Sequence, residues 1–92
     1  MEEKFLFALE AARQKAQALG VRIRPVTDMA AVRRCLSGHR VSDGFDHLAR
    51  LDRLELSLEA LAVKKQYTGL FSDEEANNAL TRLLDAGYRF KA

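Results

Sequence analysis

The chain has one cysteine, one proline and no tryptophan in 92 residues. Cys35 alone cannot form an internal disulfide, and small domains of oxidising compartments usually depend on such staples, so a reducing, cytoplasmic setting is expected. With Pro25 as the only proline, long stretches are free of the residue that most strongly interrupts helices. Residues suited to strands are scarce: five Val, one Ile and three Thr stand against 14 Ala and 14 Leu, a composition that disfavours a strand-based fold. No apolar run approaches the roughly 18 residues of a membrane span. The start, Met1-Glu2-Glu3-Lys4-Phe5, carries acid where a signal peptide needs basic residues. The five glycines are scattered singly, so no glycine-rich phosphate loop is present.

What is present is a balance of 48% apolar and 30% charged residues, that of a chain able to build a core. Its length suits one domain over 1–92 and leaves no room for two independent cores. The net charge of +2 conceals an asymmetry. Between residues 20 and 41, Arg22, Arg24, Arg33, Arg34 and Arg40 face only Asp28, a net +4. Between 42 and 62, Arg50 and Arg53 face Asp43, Asp46, Asp52, Glu55 and Glu59, a net −3. Either the two stretches neutralise each other within the fold or across a dimer, or the first one binds an anion.

Periodicity predicts an all-α or mostly α fold of four helices with a long, central third helix. The first runs from Glu2 to Leu19 on the stripe Phe5, Leu9, Ala12, Ala16, Leu19 and stops at Gly20. Val21 to Arg24 alternates apolar and basic residues before Pro25 and reads as extended. The second helix covers 28–37, capped by Thr27 or Asp28, with Met29, Val32 and Leu36 inward and Gly38 as its end. The third spans 43 to about 66 without a proline. Leu51, Leu54, Leu58 and Leu61 form one stripe on it, while Phe45, Ala49, Leu56 and Val63 form a second, so both sides need cover. Ser72-Asp73-Glu74-Glu75 is a capping box opening the fourth helix, which ends at Gly87 and buries Ala76, Ala79, Leu80, Leu83 and Leu84. Tyr88 to Lys91 alternates as residues 21–24 do, and the two would form a minimal ribbon if they paired.

Few residue constellations point to chemistry. Cys35, His39, Asp43 and His47 recur at intervals of four, yet Gly38 and the Ser42-Asp43 cap interrupt any common helix, so no metal and no cofactor are expected. Ser37, Ser42 and Cys35 are candidate nucleophiles with His39 or His47 as base, but no nucleophile elbow or other catalytic motif accompanies them. The carboxylates Asp73, Glu74 and Glu75 sit where a helix dipole favours acid. The expected role is therefore non-catalytic, without a small-molecule substrate: binding of another protein, or of a second copy as a homodimer, through Leu51, Leu54, Leu58 and Leu61. The alternative is an accessory nucleic-acid role with Arg22, Arg24, Arg33, Arg34 and Arg40 on phosphates, since ten of the fifteen cations are arginine. Phe7, Ala11 and Ala18 fall off the first helix's main stripe and leave apolar surface for a partner.

Overall fold

Asp52 and Ser57 decide the architecture. The computed structural model describes residues 2–38 and 40–88, all of it helix, turn or extended loop. Five α-helices follow one another: α1 (Glu2–Ala18), α2 (Met29–Ser37), α3 (Phe45–Arg50), α4 (Leu58–Ala62) and α5 (Asp73–Asp85). Two 3₁₀ turns, Leu54–Leu56 and Lys65–Leu70, flank α4. The all-α class holds, and no strand occurs among the described residues. The count of four helices does not hold, because the long third helix is broken.

The break has a local cause. Asp52 sits in the left-handed region at φ 58°, with its amide bonded to the Ala49 carbonyl at 3.1 Å and the Arg53 amide to the Leu48 carbonyl at 2.9 Å. This pair of bonds terminates a helix in the manner usually reserved for glycine, and aspartate is one of the few other side chains that tolerate it. Five residues after Asp52, Ser57 starts α4: its hydroxyl accepts from the Ala60 amide at 3.1 Å and donates to the Leu54 carbonyl at 2.7 Å. Leu54, Leu56 and Leu58 all point into the core while Glu55 stays out, so the run Leu54-Glu55-Leu56-Ser57-Leu58, which alternates apolar and polar residues as a strand does, marks a bend in the chain. The fold thus resolves the two apolar sides by folding the segment on itself. Residues 58–62 are buried on every side, with α5, α1 and both 3₁₀ turns packed around them.

The remaining elements follow their patterns closely. α1 buries Phe5, Ala12 and Ala16, and Gly20 at φ 88° ends it one residue early, which turns Leu19 outward. The Asp28 carboxylate accepts from the Ala31 amide at 2.8 Å and starts α2, which buries Met29, Val32 and Leu36. The capping box of α5 forms in both directions between Ser72 and Glu75. α5 itself buries only Ala79 and Leu83, leaving Leu80 and Leu84 exposed against expectation. With α2 and α4 as its neighbours, α5 has cover on a narrow face alone. Phe5 meets Tyr67 and Phe71 edge-on, at centroid separations of 5.1 and 5.2 Å, and this cluster ties α1 to the 65–71 segment.

Residues 21–27 cross the surface as an extended strap and not as a strand. Val21 is buried, Ile23 half-buried, and Arg22 and Arg24 point out, as the alternation predicts. The strand proposed opposite them, Tyr88 to Lys91, lies beyond Tyr88 outside the described residues. No helix among the described residues is long and apolar enough to cross a membrane.

Candidate functional site

Glu59 carries a full carboxylate in the most buried helix, with no solvent exposure at all. A buried carboxylate is tolerable only when paired and hydrogen-bonded, and three donors meet it. The Ser42 amide donates at 2.8 Å and the Ser42 hydroxyl donates to the other oxygen, while Arg82 Nη1 on α5 donates at 3.2 Å. The other arm of that guanidinium, Nη2, reaches the carbonyls of Gly38 at 2.7 Å and Cys35 at 3.1 Å. Asn78, one turn earlier on α5, donates to the Leu36 carbonyl at 2.9 Å. The last carbonyls of a helix lack partners within it. Here α5 supplies them to α2, with a cation at the negative end of the α2 dipole. Arg82, Asn78 and Glu59 thereby hold the carbonyls of Cys35, Leu36 and Gly38 and the amide and hydroxyl of Ser42. Sequence reading found none of the three, because each partner is at least 17 residues away.

Cys35 and Ser42, both held by this network, lie in the wall of a cavity of about 210 Å³. Leu9 and the Glu10–Arg13 pair of α1 border it on one side, Ile23 and Val26 of the strap on another, with Cys35, Ser42, Leu56 and Leu58 beyond. Two contacts set the strap in place. The Asp43 carboxylate accepts from the Arg24 amide at 2.8 Å. Gly44, at φ 77°, lets Ile23 approach so closely that a Cβ there would lie 2.7 Å from the Ile23 side chain. Arg13 Nε donates to Glu10 at 2.7 Å, which holds the Glu10 carboxyl below its ordinary range and the guanidinium above its own. Burial, aided by the Glu59 charge, pushes the Cys35 thiol up, away from the thiolate that a nucleophile or metal ligand needs. Cys35 also borders a more open depression of about 370 Å³ whose other walls are Arg34, Gly38, Arg40 and Val41.

The sequence-predicted residues separate. Leu54, Leu58 and Leu61 are buried in the chain's own core, so the proposed partner-facing stripe is not a surface; its fourth member, Leu51, is 42% exposed beyond the end of α3. Of the arginines, Arg33 is bonded to Glu2 at 2.9 Å and reaches the Leu70 carbonyl. The guanidinium groups of Arg22, Arg24, Arg34 and Arg40 form no ion pair with any described residue. The acidic stretch does not neutralise them: Glu59 turns to Arg82, Glu55 to Arg53, and Asp43 to a backbone amide. Ser42 is committed to Glu59, and Ser37 donates to the Arg34 carbonyl. Cys35 and His47 stand on separate helices and His39 lies outside the described residues. Among the described residues no three metal-ligating side chains converge. No protein-family profile, curated protein or solved structure matches the chain.

Proposed function

We propose that the chain is a non-catalytic protein-interaction module, a small adaptor, inhibitor or regulator that works in the cytoplasm and associates as a dimer through apolar helix faces. The observation that carries this reading is on α5. Leu80 and Leu84, one turn apart on a helix and therefore on one stripe, are 37% and 56% exposed. Phe7, 78% exposed on the outer face of α1 beside the exposed Ala11, adds a second apolar feature. Isolated exposed leucines are ordinary, but paired large side chains on one helix stripe suit packing against a second helix. The lone, half-buried Cys35 supports the reducing setting.

The test is the solution mass of the native chain and of Leu84→Asp. A dimer is expected for the native chain and a monomer for the variant, with unchanged helical circular dichroism because Leu84 touches little of the core. A monomeric native chain at high micromolar concentration overturns the dimer.

A second reading is favoured by the arginines that find no acidic partner among the described residues. Arg34 and Arg40 border the open depression, which has no carboxylate in its walls, and Arg22 and Arg24 project from the strap. Such groups suit the phosphates of a nucleic acid. Binding of this kind must weaken steeply with salt, by a slope of about −0.9 per phosphate contacted on duplex DNA, and Arg34→Glu with Arg40→Glu should abolish it. An apolar interface on α5 would respond to neither change.

A further inference from the structure

We infer that the cavity beneath the strap is a binding site for a neutral apolar molecule about the size of one ring, aromatic or branched aliphatic. This goes beyond the protein-interaction reading and does not depend on it. Size is the first argument: the cavity is about 210 Å³, and an apolar cavity of about 150 Å³ lined by aliphatic side chains already accepts benzene. Its lining is the second. Leu9, Ile23, Val26, Leu56 and Leu58 supply apolar surface from four separate parts of the chain, the make-up of a ligand site more than of a crease in one element.

The third is that most of the polar groups around it are already bonded to one another. Glu10 and Arg13 are bonded to each other, the Ser42 hydroxyl to Glu59, and the Asp43 carboxylate to the Arg24 amide. An apolar ligand leaves all of these bonds intact, and the exposed Arg24 guanidinium at the rim stays in water. The strap forms one wall of the cavity. Among the described residues, 22–27 have one hydrogen bond to other segments, that from the Arg24 amide, and the Val26 end is held there by side-chain packing.

Ile23 is the only isoleucine in the chain and lines the site, so its δ1 methyl gives a single carbon-13 resonance that reports on the cavity. The full chain, labelled at that methyl, is titrated with toluene. An upfield ring-current shift that saturates below the solubility limit of toluene is expected, reversed by excess cyclohexane, which competes for the space but has no ring current. Val26→Phe, which fills the cavity from the strap, should lose the shift. If that variant does not fold, the cyclohexane displacement decides alone. A shift that is absent, that rises linearly without saturation, or that persists undiminished in folded Val26→Phe overturns the site. A shift that follows protein concentration and not toluene would assign the cavity to a side chain of a second copy, and would overturn it equally.

Discussion

Two arginine–glutamate pairs join distant parts of this chain, and their lengths rank them in the wrong order. Arg33 meets Glu2 at 2.9 Å and Arg82 meets Glu59 at 3.2 Å. By distance the first is the better contact. The side chains of the first pair, however, are 42% and 51% exposed, and those of the second 10% and 0%. At the surface, water and salt screen the attraction and two long side chains must be immobilised to make it. In the interior nothing can replace a lost partner. Removing Arg82 would leave Glu59 with only the two Ser42 donors and strip the carbonyls of Cys35 and Gly38 as well. What differs between the pairs is less the energy of making them than the consequence of breaking them.

Arg82→Ala tests that difference where it is largest. Breaking a buried pair by deleting one member costs about 3–5 kcal/mol, a large part of the stability of a chain this size. Urea denaturation should show the midpoint falling sharply, with Glu59→Leu plus Arg82→Met less destabilised than Arg82→Ala because no charge is then left buried. If Arg82→Ala melts as the native chain does, the distinction drawn from burial is wrong. A smaller probe lies one turn away. Asn78 donates to the Leu36 carbonyl as Arg82 does to that of Gly38, but it is neutral and holds one bond. Asn78→Ala should therefore cost about 1 kcal/mol, the usual net value of such a bond. A loss as great as that of Arg82→Ala would mean that capping α2, and not the charge on Glu59, accounts for the effect.

The same distinction explains how much of the molecule could be read from its sequence. α1, α2 and α5 are specified by near neighbours: a stripe at helical spacing, a capping side chain at Asp28 or Ser72, a glycine at 20 or 87. Each signal acts within a few residues. The segment from 43 to 66 failed for two reasons. Asp52 takes a conformation for which glycine is the expected signal, and Ser57, a single serine among leucines, starts a helix. The alternation from Leu54 to Leu58 is a sign of irregularity, but the helix formers around it favour one continuous helix in the sequence. Burial of Leu54, Leu58 and Leu61 together needs a chain reversal that periodicity cannot express. The stripe Leu80–Leu84 was misread for a related reason, since helical spacing gives the apolar face of α5 but not how much of it its neighbours cover. The cavity and the Glu59 cluster lay further from view. Their members are drawn from α1, the strap, the end of α2, the loop after it and α5, and only the fold brings them together.

Arg33→Ala probes the other side of the comparison and should do least. Arg33 sits in the basic stretch and contacts both Glu2, at the start of α1, and the Leu70 carbonyl at 3.4 Å, so by contact count alone it looks like a staple between distant segments. Its partner, however, is in the first turn of α1, where the helix dipole already favours a carboxylate and where chain ends fray. Water can take the place of the guanidinium at either acceptor. The expected loss is about 0.2–1 kcal/mol in dilute buffer, and it should shrink further in 1 M salt, where the screening length is about 3 Å. Arg82→Ala should lose as much stability in high salt as in low, because its partner is out of reach of ions. Measuring both variants at two salt concentrations separates the pairs by the property that distinguishes them. Equal salt sensitivity would show that solvent reaches Glu59, and the interior pair would then be no different in kind from the surface one.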